Sequence, residues 1–62
     1  MKEELVHKIT TLHEALSELH EAWRELDWSV VPEVVQEQYP FKQDLLEMEQ
    51  GTLRWLDTIK KT

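Results

Sequence analysis

The chain has 62 residues and no cysteine, and its 13 acidic and seven basic residues give a formal net charge of −6. A chain this short buries only about 60% of its unfolded surface, so it usually needs disulfides, a metal or oligomerisation for stability. The lack of cysteine excludes disulfides and thiolate zinc sites. The negative charge repels phosphate backbones and anionic membranes, so we expect neither direct nucleic-acid binding nor membrane binding.

The composition is that of a folded protein, with 40% apolar and 32% charged residues. The first residues, Met1-Lys2-Glu3-Glu4, lead into charged amphipathic sequence. No apolar block there has the length of a signal peptide or a membrane span. The sequence therefore predicts a cytoplasmic protein.

A first long helix is predicted over residues 3–27 by apolar residues spaced alternately four and three apart, as in a coiled-coil seam. These residues are Leu5, Ile9, Leu12, Leu16, Leu19, Trp23 and Leu26. Ala15 and Ala22 widen the stripe to three residues per heptad and are small enough for a neighbouring helix to approach closely. A stripe of this width suits a helix bundle better than a bare two-stranded coiled coil.

A connector is predicted over residues 28–40, because valines at helical spacing lie between prolines and indicate a short helix at about 30–38. Ser29 is a candidate N-cap and Pro32 fits a first helical turn. Tyr39-Pro40 should end this element, since the residue before proline is disfavoured in a helix.

A second long helix is predicted over residues 41–60, with an apolar arc of about half its circumference. One partner helix cannot cover so wide an arc, so the sequence predicts that two hairpins pair as a four-helix bundle; a trimer or larger ring fits the same pattern. The residues expected at the oligomer interface are Leu12, Leu16, Leu19, Trp23, Leu46, Leu53 and Leu56. Gly51 lies in the interior of this helix, where glycine is unfavourable. It indicates that another backbone approaches closely there, that the helix is locally broken, or that the helix simply tolerates glycine at this position.

Histidines and glutamates provide the candidates for metal binding. They are Glu4, His7, His13, His20 and Glu49. Glu4 and His7 form a Glu-x-x-His pair, but the carboxylate bundles that bind iron need two such pairs and two further glutamates. Glu49 falls inside the apolar arc, where a buried carboxylate needs a polar partner. It either belongs to a polar strip with Lys42 and Lys60 that sets the register of the helices, or it is a ligand or acid/base carboxylate paired with His13 or His20. The polar-strip interpretation is favoured, and no cofactor is expected.

The connector aromatics have two interpretations. Trp23 and Trp55 occupy seam positions and should lie in the core, whereas Trp28 lies off the seam. Trp28 could anchor a partner protein, or the connector could fold over the open end of the bundle as a lid. The residues expected to bind a partner are Trp28, Val31, Val35 and Tyr39.

No nucleophile with an oriented base and no glycine loop for phosphate are present in the sequence. The sequence thus predicts an all-α helical hairpin in one domain, 1–62, with two long helices and a short connector helix. The expected function is that of a non-enzymatic interaction protein, a small acidic regulator or adaptor that forms a homodimer. The alternative is a metal-binding helical bundle that uses histidine and glutamate side chains.

Overall fold

The computed structural model describes residues 2–62, and within this range the regular secondary structure is helical throughout. Helix α1 spans Lys2–Glu25, α2 spans Glu33–Glu37 and α3 spans Leu45–Lys61. The long helices α1 and α3 pack against each other. They run antiparallel, because the Lys2 ammonium donates to the Lys60 carbonyl oxygen at 3.3 Å, which joins the start of α1 to the end of α3. The prediction of an all-α fold with two long packed helices is confirmed.

The end of α1 is set by a local turn at Asp27. The Asp27 carboxylate accepts hydrogen bonds from the backbone N–H of Ser29, at 3.1 Å, and from the Ser29 hydroxyl. These two bonds, the hydroxyl first, hold the pKa of Asp27 below its usual range. An Asx turn of this kind competes with helical backbone, so α1 stops at Glu25, two residues before the predicted end.

The connector helix is shorter than the predicted range of 30–38. Because Ser29 takes part in the Asp27 turn, it does not cap α2, and Pro32 occupies the N-cap position instead. Helix α2 is one short element of five residues, and none of them is buried.

Helix α3 begins four residues after the predicted start at Phe41. Its N-cap is Asp44, whose side chain accepts from the Glu47 N–H at 2.8 Å. An Asp at the cap followed by Glu three residues later is a helix-start signature, so the signal for the true boundary was present in the sequence.

The core of the hairpin is narrow. Among the described residues, the buried hydrophobic side chains are Ile9, Leu16, Leu45 and Leu56. The molecule measures 45 × 19 × 16 Å and has a Cα radius of gyration of 14.3 Å, against about 10.6 Å for a compact domain of this length. A long, thin hairpin leaves much of each helix in solvent.

The apolar seam of α1 is only half covered. Ile9 and Leu16 are buried, while His13, Ser17 and His20 are half-buried beside them. The alternate leucines of the seam remain exposed, because a single neighbouring helix covers one side of a stripe this wide. Trp55 is also exposed, at 52%, so the prediction that it lies in the core is wrong for the single chain.

Candidate interaction surface

Four leucines at every seventh position form an exposed ridge, which we call the leucine row; the first three lie on α1 and the fourth directly follows its last residue. The row consists of Leu5, Leu12, Leu19 and Leu26, whose side chains are 42–46% exposed. Ala15 and Ala22 are exposed as well and each follows a row leucine by three residues, so they lie next to it on the helix. The ridge therefore combines large apolar side chains with small neighbours over which another helix could pack closely.

Helix α3 adds exposed apolar groups on two of its sides. Leu46 and Leu53 are exposed and lie seven residues apart, so they share one side of the helix. Trp55 follows Leu53 by two residues, which turns it about 200° around the helix to a different side. Apolar surface thus flanks the hairpin core on both long helices.

The residues predicted for an oligomer interface divide into two groups. Leu12, Leu19, Leu46 and Leu53 are exposed and available to a second chain. Leu16 and Leu56 are buried inside the hairpin, and Trp23 is half-buried. The first group is the part of the predicted interface that remains accessible to a second chain, and the contact itself stays a prediction.

An aromatic cluster closes the connector end of the hairpin. Trp23 meets Trp28 edge to face with ring centroids 4.7 Å apart and meets Tyr39 at 5.8 Å. Tyr39 in turn meets Phe41 edge to face at 5.5 Å. Such pairs each contribute about 0.5–1.5 kcal/mol beyond simple burial. The cluster borders an open groove of about 270 Å³ lined by Trp23, Gln36, Tyr39, Asp44 and Leu45.

Tyr39 joins the connector to the start of α3. Its hydroxyl donates to the Gln43 carbonyl oxygen at 2.5 Å and lies 3.9 Å from the Met48 sulfur. Partial burial raises the pKa of Tyr39, and the carboxylates of Asp44 and Glu47 raise it further. The neutral phenol is therefore the form that fits this site.

Most of the side chains predicted to bind a partner are half-buried. Trp28, Val31 and Tyr39 are half-buried and Val35 is exposed. The partial burial of Trp28, Val31 and Tyr39 is what we expect if the connector folds over the end of the hairpin as a lid. The most exposed apolar groups are Val30, at 75%, which precedes α2, and Val34, at 53%, which lies on it.

The structure brings two of the five candidate metal ligands together. His20 Nδ1 lies 3.8 Å from Glu49 Oε1, and each side chain is about one-quarter exposed, at 25% and 23%. Glu4 and His7 are exposed and His13 is half-buried elsewhere on α1. Residues 2–62 contain no group of three or more side chains of metal-ligating type that could hold an ion.

The Glu49 carboxylate thus has His20 as its neighbour, whereas Lys42 and Lys60 are exposed. A contact of this length between partly exposed groups contributes at most about 1 kcal/mol. It fits a polar contact that fixes the register of the two helices.

The accessible surface is large for the mass. It amounts to 5196 Å² for a chain of 7.5 kDa, whereas a folded monomer of this mass exposes about 4250 Å². The excess of roughly 950 Å² is close to the area of about 800 Å² that each partner buries in a standard protein interface.

In the described part of the chain, no helix has both the length and the apolar character required to cross a membrane. No protein-family model, curated protein or solved structure matches the chain.

Proposed function

We propose that this chain is a non-enzymatic interaction module, a small acidic regulator or adaptor that self-associates and binds another protein. The observation that carries the proposal is the excess of about 950 Å² of accessible surface over the area expected for the mass. The hairpin buries four large apolar side chains, while the leucine row and the exposed leucines of α3 stay in water.

Pairing of two hairpins through the leucine row, as a four-helix bundle, would remove that row from solvent. Burial of apolar surface stabilises by about 25 cal/mol per Å², and a chain of this size has little stability to spare. Self-association therefore supplies what the short core lacks. Once disulfides are excluded, self-association is one of the two supplements that remain, beside a metal bound by histidine and carboxylate side chains.

Recognition of a different protein is assigned to the connector. Its exposed valines lie on the short helix α2, as Val34 and Val35 do, or just before it, as Val30 does. The ring contacts of Trp28 and Tyr39 with Trp23 tie the segment to the end of α1. The acidic outer positions of α1 could add contacts to a basic partner. Binding that depends on those charges would weaken steeply with salt.

The metal-binding bundle stays an alternative prediction with weaker support. It needs at least one further ligand beside His20 and Glu49. Residues 2–62 of the same chain place none there, so the alternative relies on a second chain for it. Its test is thermal unfolding with added zinc and with a chelator: a metal site predicts a higher Tm with zinc, and the interaction module predicts no change.

Sedimentation velocity over a wide concentration range tests self-association. We expect a dimer for the natural sequence and a monomer for the double variant Leu12→Gln/Leu19→Gln. A matched control, Val30→Gln/Val34→Gln, also replaces two exposed apolar side chains, but in the connector, and should remain dimeric. A natural sequence that stays monomeric throughout contradicts the proposal.

A further inference from the structure

We infer that the leucine row of α1 docks against the leucine row of a second copy, with the two α1 helices antiparallel. The occupant of this apolar surface is thus another copy of the same chain. The inference rests on the proposed self-association and adds the face and the direction of pairing.

The spacing of the leucine row suits an antiparallel pairing about a two-fold axis. The midpoint between positions 5 and 26 and the midpoint between positions 12 and 19 both fall between residues 15 and 16. An axis at this point brings Leu5 opposite Leu26 of the second copy and Leu12 opposite Leu19. Such a contact is isologous, since the same patch is used on both copies and the assembly closes as a dimer.

The charge distribution along α1 favours the antiparallel direction. In residues 2–13, two lysines balance two glutamates, whereas residues 14–25 hold four glutamates and one arginine, a net charge of −3. A parallel pair would place the two acidic halves side by side, and like charges at close range repel. An antiparallel pair places each acidic half next to a neutral one.

Lys8 gives this arrangement a specific contact. About the same axis, Lys8 lies level with Trp23 of the second copy and only about 1.5 Å along the helix axis from Ala22 of that copy. Ala22 has Glu18 four residues before it and Glu25 three residues after it on one side of the helix. Lys8 can therefore reach a glutamate of the second copy, and the symmetry repeats the contact.

Gly51 supports the same geometry from the other helix. A Cβ added there would meet only the flexible end of Arg54, at 3.8 Å, so packing within the chain does not require glycine. On a 100° wheel, the leucine row and Gly51 each lie about 90° to one side of the face by which their helices meet. Because the helices are antiparallel, these two positions belong to the same surface of the hairpin.

Gly51 is also at the right level along the hairpin. The contacts Lys2–Lys60 and His20–Glu49 place residues 15 and 16 of α1 level with a point between about residues 46 and 54 of α3. Gly51 lies inside this range. A two-fold axis there sets the two α3 helices next to each other at Gly51, so all four helices form a square bundle in which glycine permits close approach.

Single cysteines test the direction and the face of pairing, since the natural chain has none. In the antiparallel dimer, the two copies of residue 15 differ by about 1.5 Å along the helix axis, whereas the two copies of residue 22 are about 20 Å apart. A disulfide needs Cα atoms within about 7 Å.

Under mild oxidation, we expect Ala15→Cys to form a disulfide-linked dimer and Ala22→Cys to stay unlinked. An equal mixture of Lys8→Cys and Ala22→Cys should form the mixed disulfide, which shows that Ala22→Cys is reactive. Circular dichroism checks that each variant keeps its helices.

Self-linking of Ala22→Cys would indicate parallel helices and overturn the inference. A dimer by native mass spectrometry in which neither Ala15→Cys nor the mixture links would place the contact on another face, which overturns the inference and leaves the proposed function standing. A monomeric natural chain overturns both.

Discussion

Truncation of two neighbouring leucines of α1 separates the hairpin core from the proposed contact between copies. Leu16 is 6% exposed and Leu12 is 46% exposed, although they lie four residues apart on the same helix. Leu16→Ala should lower the free energy of unfolding of the single chain by about 2–5 kcal/mol, as for other buried leucines. A chain of this length has a total of about 3–9 kcal/mol, so much of this variant should be unfolded.

Leu12→Ala should affect the single chain much less. About half of its side chain is already in water, so the loss within the hairpin is roughly 1 kcal/mol. The other half becomes buried in the proposed dimer, once on each copy. The dimer should therefore lose about 2 kcal/mol, which corresponds to a Kd roughly 30-fold higher.

The assay combines urea unfolding, followed by circular dichroism over several protein concentrations, with sedimentation equilibrium. Comparison at low concentration isolates the single chain, since association makes the apparent stability depend on concentration. Equal loss of single-chain stability in both variants would refute the reasoning, because α1 would then present a different face to α3.

Three further predictions concern single side chains. Asp44→Ala removes the acceptor for the Glu47 N–H and should lower the free energy of unfolding by about 0.5–2 kcal/mol in urea melts. Asp44→Asn keeps a side-chain oxygen that can accept this bond, so it should keep most of the stability of the original chain. Gly51→Ala should raise single-chain stability by about 1 kcal/mol, while Gly51→Leu should weaken the dimer in sedimentation equilibrium; unchanged dimerisation would place Gly51 outside the contact. The raised pKa of Tyr39 means that the folded chain favours the neutral phenol. The contribution of this phenol to the free energy of unfolding is therefore complete below pH 10.0, the ordinary pKa, and is lost as the pH rises through the pKa of the folded chain. Tyr39→Phe should remove this alkaline loss in stability measurements and slightly lower the free energy of unfolding at neutral pH, because the bond to the Gln43 carbonyl is lost. If the loss of stability at alkaline pH persists in Tyr39→Phe, it belongs to other groups.

The sequence was sufficient to predict the helical hairpin. A long run of apolar residues at helical spacing leaves little choice of secondary structure, and two such runs joined by a short connector must pack together to bury them. The face on which α1 meets α3 could not be read in the same way. The leucine row and the Ile9–Leu16 positions form one continuous stripe, and only tertiary packing decides which half is covered.

Boundaries and polar contacts depended on local side-chain chemistry. The Asp27 turn and the Asp44 cap shifted the helix ends, since side chains that bond to nearby backbone compete with helical hydrogen bonds. Glu49 was recognised as anomalous from its place in the apolar arc, and His20 was one of the partners weighed for it. The choice of His20 over His13 depends on the register of α1 against α3, which side-chain packing sets.

Native mass spectrometry of the metal-free natural chain tests the central claim most directly, because it reports oligomeric state and bound ions together. The account predicts a dimer of twice the chain mass that forms without metal and is unchanged when zinc is added. A monomer at every concentration, or a dimer that appears only with bound zinc, would contradict it.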